Sequence, residues 1–191
     1  MSQIPEMDDD LRPEYDFTSL TVVARGQGRM DYTIRALTGE DGAIVWEMLR
    51  YASHEPSLES IQEQPYLARY ASGWGRAGDS GCVATRGAVS VAAAWLRLWS
   101  EDNKGFGYIS KEILELAMAV APDCRNQGIG TRLLMQLLDR ATDRFPAVSL
   151  NVRQDNRVVR LYERAGFIKV PASEVINRTG GVSFNMVRKF E

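Results

Sequence analysis

The segment from Ile113 to Ala141, ILELAMAVAPDCRNQGIGTRLLMQLLDRA, leaves this chain few folds to choose from. It opens with an apolar run, Ile113 to Val120, broken only by Glu115, and a run of that length ahead of a proline reads as a buried strand. Pro122 has no N–H to donate and ends the ladder. A polar turn, Asp123 to Gln127, leads into Gly128-Ile129-Gly130. Leu133, Leu134, Leu137, Leu138 and Ala141 then recur at helical spacing, so a helix starts between Gly128 and Thr131. A strand, a glycine-bearing turn and a helix in this order form an anion site. The first N–H groups of a helix lack intrahelical partners, and its N-terminus carries about half a positive charge. Glycines at 128 and 130 are expected to let a phosphate approach those amides, with Arg125 as a cation beside them.

Two common phosphate motifs do not fit. A Walker loop requires Lys-Ser/Thr after its last glycine, and here Gly130 is followed by Thr131-Arg132. A dinucleotide loop requires three spaced glycines, and Cys124 and Asn126 stand where the earlier ones belong. The sequence Arg125-Asn126-Gln127-Gly128-Ile129-Gly130 instead resembles the R/Q-x-x-G-x-G/A pyrophosphate loop of the GNAT superfamily of N-acetyltransferases. On its own it also fits an ordinary glycine-rich turn. A second segment, VSLNVRQDNRVVRLYERAGF from Val148 to Phe167, resembles the later motif of the same superfamily: a strand, an Asn, then a helix ending in L-Y-x-x-x-G-F. The resemblance is specific from Leu114 to Val170, extends from Tyr32 to the C-terminus, and is absent over the first thirty or so residues.

The resemblance implies acetyl-CoA as donor, lying between two splayed strands centred on Met118 and Leu150. The main chain of Met118, Ala119 and Val120 would bind the pantetheine arm as a free ladder edge binds an added strand, and one N–H would meet the charge that builds on the thioester oxygen. Arg125, Asn126, Gln127, Gly128, Ile129, Gly130 and Thr131 would hold the pyrophosphate, and Asn156 would contact the arm. Tyr162 matches the tyrosine placed near the thioester sulfur. A phenol of pKa about 10 stays protonated at neutral pH and can supply a proton to the departing thiolate. The alternative for Tyr162 is a core aromatic. Some relatives carry a Glu as base where this chain has Asn151, which cannot take that role. Glu115 is then the candidate base, as the one ionisable residue inside the central strand; it could instead pair with Arg97 on the neighbouring strand, and Glu112 is a second choice. Trp46, Arg50, Tyr51, His54, Trp74 and Arg76 are candidates for the acceptor side. Cys124, in the phosphate turn without a nearby base, is not expected to act as a nucleophile.

Composition narrows the remaining choices. A chain of 191 residues with 45% hydrophobic and 25% charged residues suits one globular domain. A net charge of −2 gives no reason to expect a nucleic-acid partner. No apolar run is long enough to span a bilayer, and the acidic N-terminus is unlike a signal peptide, so no membrane partner is expected and a cytoplasmic location is the default. Cys82 and Cys124 are too few for a disulfide framework, and a single histidine, His54, argues against a histidine-rich metal site, so no metal is expected.

Along the chain, residues 1–30 read as an extended or weakly ordered arm, whose E-Y-D-F…R-G pattern resembles a short segment of some small antitoxin-type proteins, and residues 31–191 as the acetyltransferase domain. Thr38 with Asp41 approximates a capping box, a helix is expected to break near Pro65, and Asn156 is a candidate N-cap. The expected fold is α/β (α+β): a mixed, mostly antiparallel central sheet of six to seven strands flanked by helices on both faces. The expected activity is direct transfer of acetyl from acetyl-CoA to a primary amine of a small molecule or peptide, and the resemblance makes a homodimer a common arrangement. The alternatives are a non-catalytic acyl-CoA-binding or sensing module and a toxin–antitoxin-type interaction protein.

Overall fold

A computed structural model describes residues 32–190. The readings made for the N-terminal arm lie outside the described residues. The sheet begins with β1 (Thr33–Ala36), and a single 3-10 turn (Gly39–Asp41) leads into α1 (Gly42–Ser53). Asp41 Oδ2 accepts from the Thr38 N–H at 2.7 Å, which is the expected capping interaction, placed on the 3-10 turn rather than on α1 itself. Two short helices follow, α2 (Leu58–Gln62) and α3 (Pro65–Ala68). The break falls at Pro65, whose ring opens a new helix where a missing N–H costs nothing.

Next come β2 (Ser80–Arg86), β3 (Val89–Arg97) and β4 (Leu114–Val120), then a 3-10 turn over Pro122–Cys124 and α4 (Ile129–Ala141). The chain closes with β5 (Ala147–Arg153), α5 (Val159–Arg164), β6 (Ile168–Lys169), β7 (Val175–Ile176) and β8 (Val182–Lys189). The sheet has eight strands, in the order β1-β2-β3-β4-β5-β8-β6, with β7 also paired to β8. The strand beyond the expected count is β7, a two-residue strand that makes the tight hairpin with β8. Every pairing is antiparallel except β4 with β5.

Both faces of the sheet are covered. Ile129, Leu133, Leu134, Leu137 and Leu138 of α4 are buried on one face against Ala92, Ala94 and Leu116. Val45, Met48 and Leu49 of α1 pack on the other, against Ala93 and Trp95. The alanines of β3 have no long side chains to hold the helices off, and Ala92, Ala93 and Ala94 are all fully buried.

The parallel contact positions the site. β4 and β5 pair only at Leu114↔Val148 and Glu115↔Ser149, after which they diverge. β5 is held from its other side by β8, along its whole length from Ala147↔Lys189 to Arg153↔Ser183.

Arg97, opposite Glu115 in the β3–β4 register, does not pair with it. Its guanidinium bonds Asp79 at 2.6 and 2.9 Å and donates to the carbonyls of Arg69, Ser72 and Gly73. Both side chains of the Arg97–Asp79 pair are 1% exposed. The pair ties the segment after α3 to the sheet, and removing one member strands the other charge in the interior. Asp79→Ala is expected to lower the free energy of unfolding by about 3–5 kcal/mol, read from urea melts against the parent chain.

Candidate active site

The divergence of β4 from β5 frees part of a strand edge. The Ala121 N–H donates to Val91 O at 2.8 Å, on the β3 side. Alternation along the strand turns the main chain of Ala119 the same way and that of Met118 and Val120 toward β5, where pairing has stopped. Ala119, expected to offer its main chain to a ligand, is thus directed at β3, and its side chain is buried against the α1 layer. Of the remaining two, Val120 already uses its carbonyl, which accepts from Arg125 Nε at 3.1 Å. Met118 keeps the open edge.

The loop after β4 has the form of an anion cradle. Asn126 and Gly128 are both left-handed, with φ of 60° and 79°, and Gly128 caps α4. Alternating handedness of this kind points successive N–H groups into one concavity. The N–H groups of Ile129, Gly130 and Thr131 follow in the first turn, where no intrahelical carbonyl reaches them. The two glycines have different tasks. Gly128 provides the positive φ, whereas a Cβ on Gly130 would come within 3.3 Å of both Met118 Cε and Val120 Cγ2. Gly130 therefore lets α4 pack closely on β4. Arg125 is exposed beside the loop, and Gln127 is braced by Arg86 at 3.3 Å and by its own bond to Asp123 O at 3.2 Å. Cys124 is buried beneath the loop as a free thiol.

Asn156 is not the helix N-cap. Its Oδ1 accepts from the Val158 N–H at 3.1 Å in a local turn, and α5 begins at Val159. The Val159 N–H donates to Asn156 O, so a tight turn fills the residues that a longer helix would have used. Tyr162 lies on α5, 7% exposed, edge-on to Phe167 at 5.7 Å. Burial alone pushes its phenol upward, which keeps it a proton donor at neutral pH.

Asn156, Tyr162, Met118 and Glu115 all line one cavity of about 430 Å³. Glu115 and Tyr162 belong to opposite faces of the sheet, so the cavity crosses it through the gap between β4 and β5. Glu115 is 3% exposed. Its Oε1 accepts from the Tyr70 hydroxyl at 2.6 Å and from the Gly107 N–H at 2.8 Å, while Oε2 has no hydrogen-bond partner. Burial pushes the carboxyl up to about 7, against the smaller opposing pull of these donors.

Two glycines make that burial feasible. A Cβ on Gly105 would lie 2.1 Å from Glu115 Oε2, and one on Gly107 2.7 Å from the backbone of Leu150. The loop carrying them enters the fork between the strands and seals it. Tyr70, Gly105 and Gly107 were not among the expected site residues. A glycine on each side of Phe106, a few residues ahead of a carboxylate inside an apolar strand, is the pattern that could have pointed to the loop.

Of the acceptor-side candidates, only His54, at the C-terminal end of α1, lines the cavity. Trp46, Tyr51 and Trp74 pack against the α1 layer, Arg50 pairs with Glu47, and Arg76 donates to Leu98 O. The wall is instead formed by Leu49, Ala52, Tyr66, Leu67 and Phe106, faced by the β7–β8 hairpin. That hairpin is tied across the cavity to the end of α1, where Arg178 bonds Glu55 at 2.7 Å and the Ser53 carbonyl. Among the described residues no cluster of side chains could hold a metal ion, and no helix is long and apolar enough to cross a membrane.

Residues 45–167 match the family model described as Acetyltransferase (GNAT) family. The chain belongs to that family, and acetyl transfer from acetyl-CoA is the chemistry that membership implies. Solved structures agree on the fold. One is yncA from Salmonella typhimurium with its cofactor acetyl-CoA: 18% identity, TM-score 0.63, 84% of this chain and 94% of that one covered. Another is the ribosomal-protein-S18-alanine N-acetyltransferase from Escherichia coli: 20% identity, TM-score 0.59, 84% and 94% covered. A third is the phosphinothricin acetyltransferase from Sinorhizobium meliloti in complex with AcCoA: 18% identity, TM-score 0.58, 83% and 88% covered. No curated protein matches the chain by sequence.

The buried carboxyl makes stability depend on pH. The native Glu115 holds its proton up to about pH 7, whereas in the unfolded chain it is released near 4.5. The native state binds more protons between those values, so this group's stabilising contribution, complete below 4.5, falls by up to about 3 kcal/mol as pH rises to 7. Urea melts of Glu115→Gln are expected to lack that decline; an unchanged pH profile would contradict it.

Proposed function

We propose that this chain is an N-acetyltransferase that moves acetyl from acetyl-CoA directly to a primary amine. The observation carrying the reading is that a buried carboxyl and a buried phenol line one cavity beside a helix N-terminus and an open strand edge. The residues fit the donor. The amides of residues 126–131 and Arg125 would hold its diphosphate, the main chain of Met118 its amide-rich arm, and Asn156 the arm's outer part. When bound, acetyl-CoA supplies an activated acyl carbon with a thiolate leaving group.

The chain's own groups then manage two protons. As the N–C bond forms and the C–S bond breaks, the amine loses a proton and the sulfur gains one. Glu115, poised near neutrality, takes the first. Its route runs through Tyr70, which lines the cavity and whose hydroxyl already donates to Oε1. Tyr162 gives the second and is reprotonated from solvent. The Met118 N–H is the donor available to the thioester oxygen.

Release of coenzyme A from acetyl-CoA against a panel of primary amines tests the reading. Tyr162→Phe is expected to lower kcat by about 10²–10⁴ with affinity for coenzyme A retained. Glu115→Gln is expected to cost a similar factor and to remove a rising limb of kcat near pH 7. Unaltered turnover in either variant removes that residue from its role, and failure of the chain to bind coenzyme A overturns the reading as a whole.

A further inference from the structure

The acceptor end of the cavity has a wall of one chemical kind. Tyr66 and Phe106 meet edge to face at 6.1 Å, and Phe106 stacks on Tyr70 at 5.9 Å. Leu49, Ala52 and Leu67 continue the surface inward, and Val175 and Ile176 face it from the hairpin. Large apolar side chains left in water are informative when they gather. Among the described residues eight are exposed, and four of them, Tyr66, Phe106, Val175 and Ile176, line this one cavity. Phe106 is 50% exposed and Ile176 74%.

Among the described residues negative charge is scarce at the same place. Of those residues Glu115 is the one carboxylate on the lining, and it lies buried at the fork. The carboxylates beside the rim are committed: Glu55 to Arg178 at 2.7 Å and Asp155 to Arg153 at 2.9 Å. His54, on the rim, has its proton affinity lowered first by desolvation and then by Arg125, Arg153 and Arg178, with Asp155 opposing them as the smallest influence, so cations outweigh anions around it. A second ammonium on the acceptor would shed hydration here and meet no unpaired carboxylate among the described residues.

We infer that the acceptor is a primary monoamine carried on an apolar or aromatic body, and that polycationic amines are excluded. The inference rests on the acetyltransferase reading and narrows it to a substrate class. The body packs between the Tyr66–Phe106 face and Ile176, while its single amino group reaches inward toward Tyr70 and Glu115. Burial of the body provides the affinity, and the reacting nitrogen is the only polar group that must be desolvated.

The test uses the full chain with 2-phenylethylamine and hexylamine against spermidine. Binding is measured calorimetrically in the presence of coenzyme A, and turnover as kcat/KM with acetyl-CoA. The two monoamines are expected to exceed spermidine roughly tenfold or more in both. Phe106→Asp, which places a carboxylate on the wall, should erase or reverse the preference. Ile168→Asp, at an exposed apolar site away from the cavity, should leave it unchanged and controls for general surface effects. A preference for spermidine, or an unchanged preference in Phe106→Asp, overturns the inference while leaving acetyl transfer intact. If coenzyme A does not bind, the acetyltransferase reading fails, and amine titrations of the chain alone still decide the wall. Monoamine binding that Phe106→Asp abolishes supports an apolar amine site, and no binding overturns it.

Discussion

The site depends on the short pairing of β4 with β5. Two residue pairs hold the strands together, and beyond Glu115 and Ser149 they separate. A central strand with main-chain groups facing an unfilled gap is costly unless something else meets those groups. Arg125 answers one of them by bonding the Val120 carbonyl; the gap along Met118 stays open. The wedge-shaped opening is what brings a carboxyl on one face of the sheet and a phenol on the other into a common cavity. Had the strands paired to their ends, Glu115 and Tyr162 would be separated by a closed sheet.

The fork also explains how a carboxyl is kept in the interior. Glu115 sits where the strands begin to separate, and the loop carrying Gly105 and Gly107 closes over it. Any side chain at either glycine would overlap the carboxyl or the β5 backbone. Burial favours the protonated form and outweighs the donors that reach the carboxyl, among them Tyr70 and Gly107. A buried carboxyl with intermediate proton affinity suits the proton-accepting role proposed for it.

How much could be read in advance depended on sequence distance. The β4 strand, the loop from Arg125 to Thr131 and the helix behind it are contiguous, and apolar spacing with two glycines made them legible. Tyr162 was legible from the local pattern around it. The partners of Glu115 were not: Tyr70 lies 45 residues away, and only the folded sheet brings it close. The same holds for Arg97, whose carboxylate partner Asp79 is on a loop that no periodicity marks. Asn156 misled because N-cap preference is local, whereas the helix start is set by where Leu161 and Tyr162 pack. Most acceptor-side candidates misled because size and polarity were weighed without the direction of α1. Only its C-terminal end, with Leu49, Ala52 and His54, reaches the cavity; Trp46 and Arg50 do not.

The place of β8 in the sheet bears on how the protein matures. In order of synthesis it is the last described element, yet it is the strand that pairs β5 along its full length. Until it emerges from the ribosome, β5 is joined to the sheet by two residue pairs and presents a long bare edge, a surface prone to unwanted association. The hairpin that β8 completes also carries Arg178 back to Ser53 and Glu55, more than 120 residues upstream. A nascent chain therefore has the loop from Arg125 to Thr131 before it has a roof over the chamber, and the cavity closes in one late step rather than by degrees.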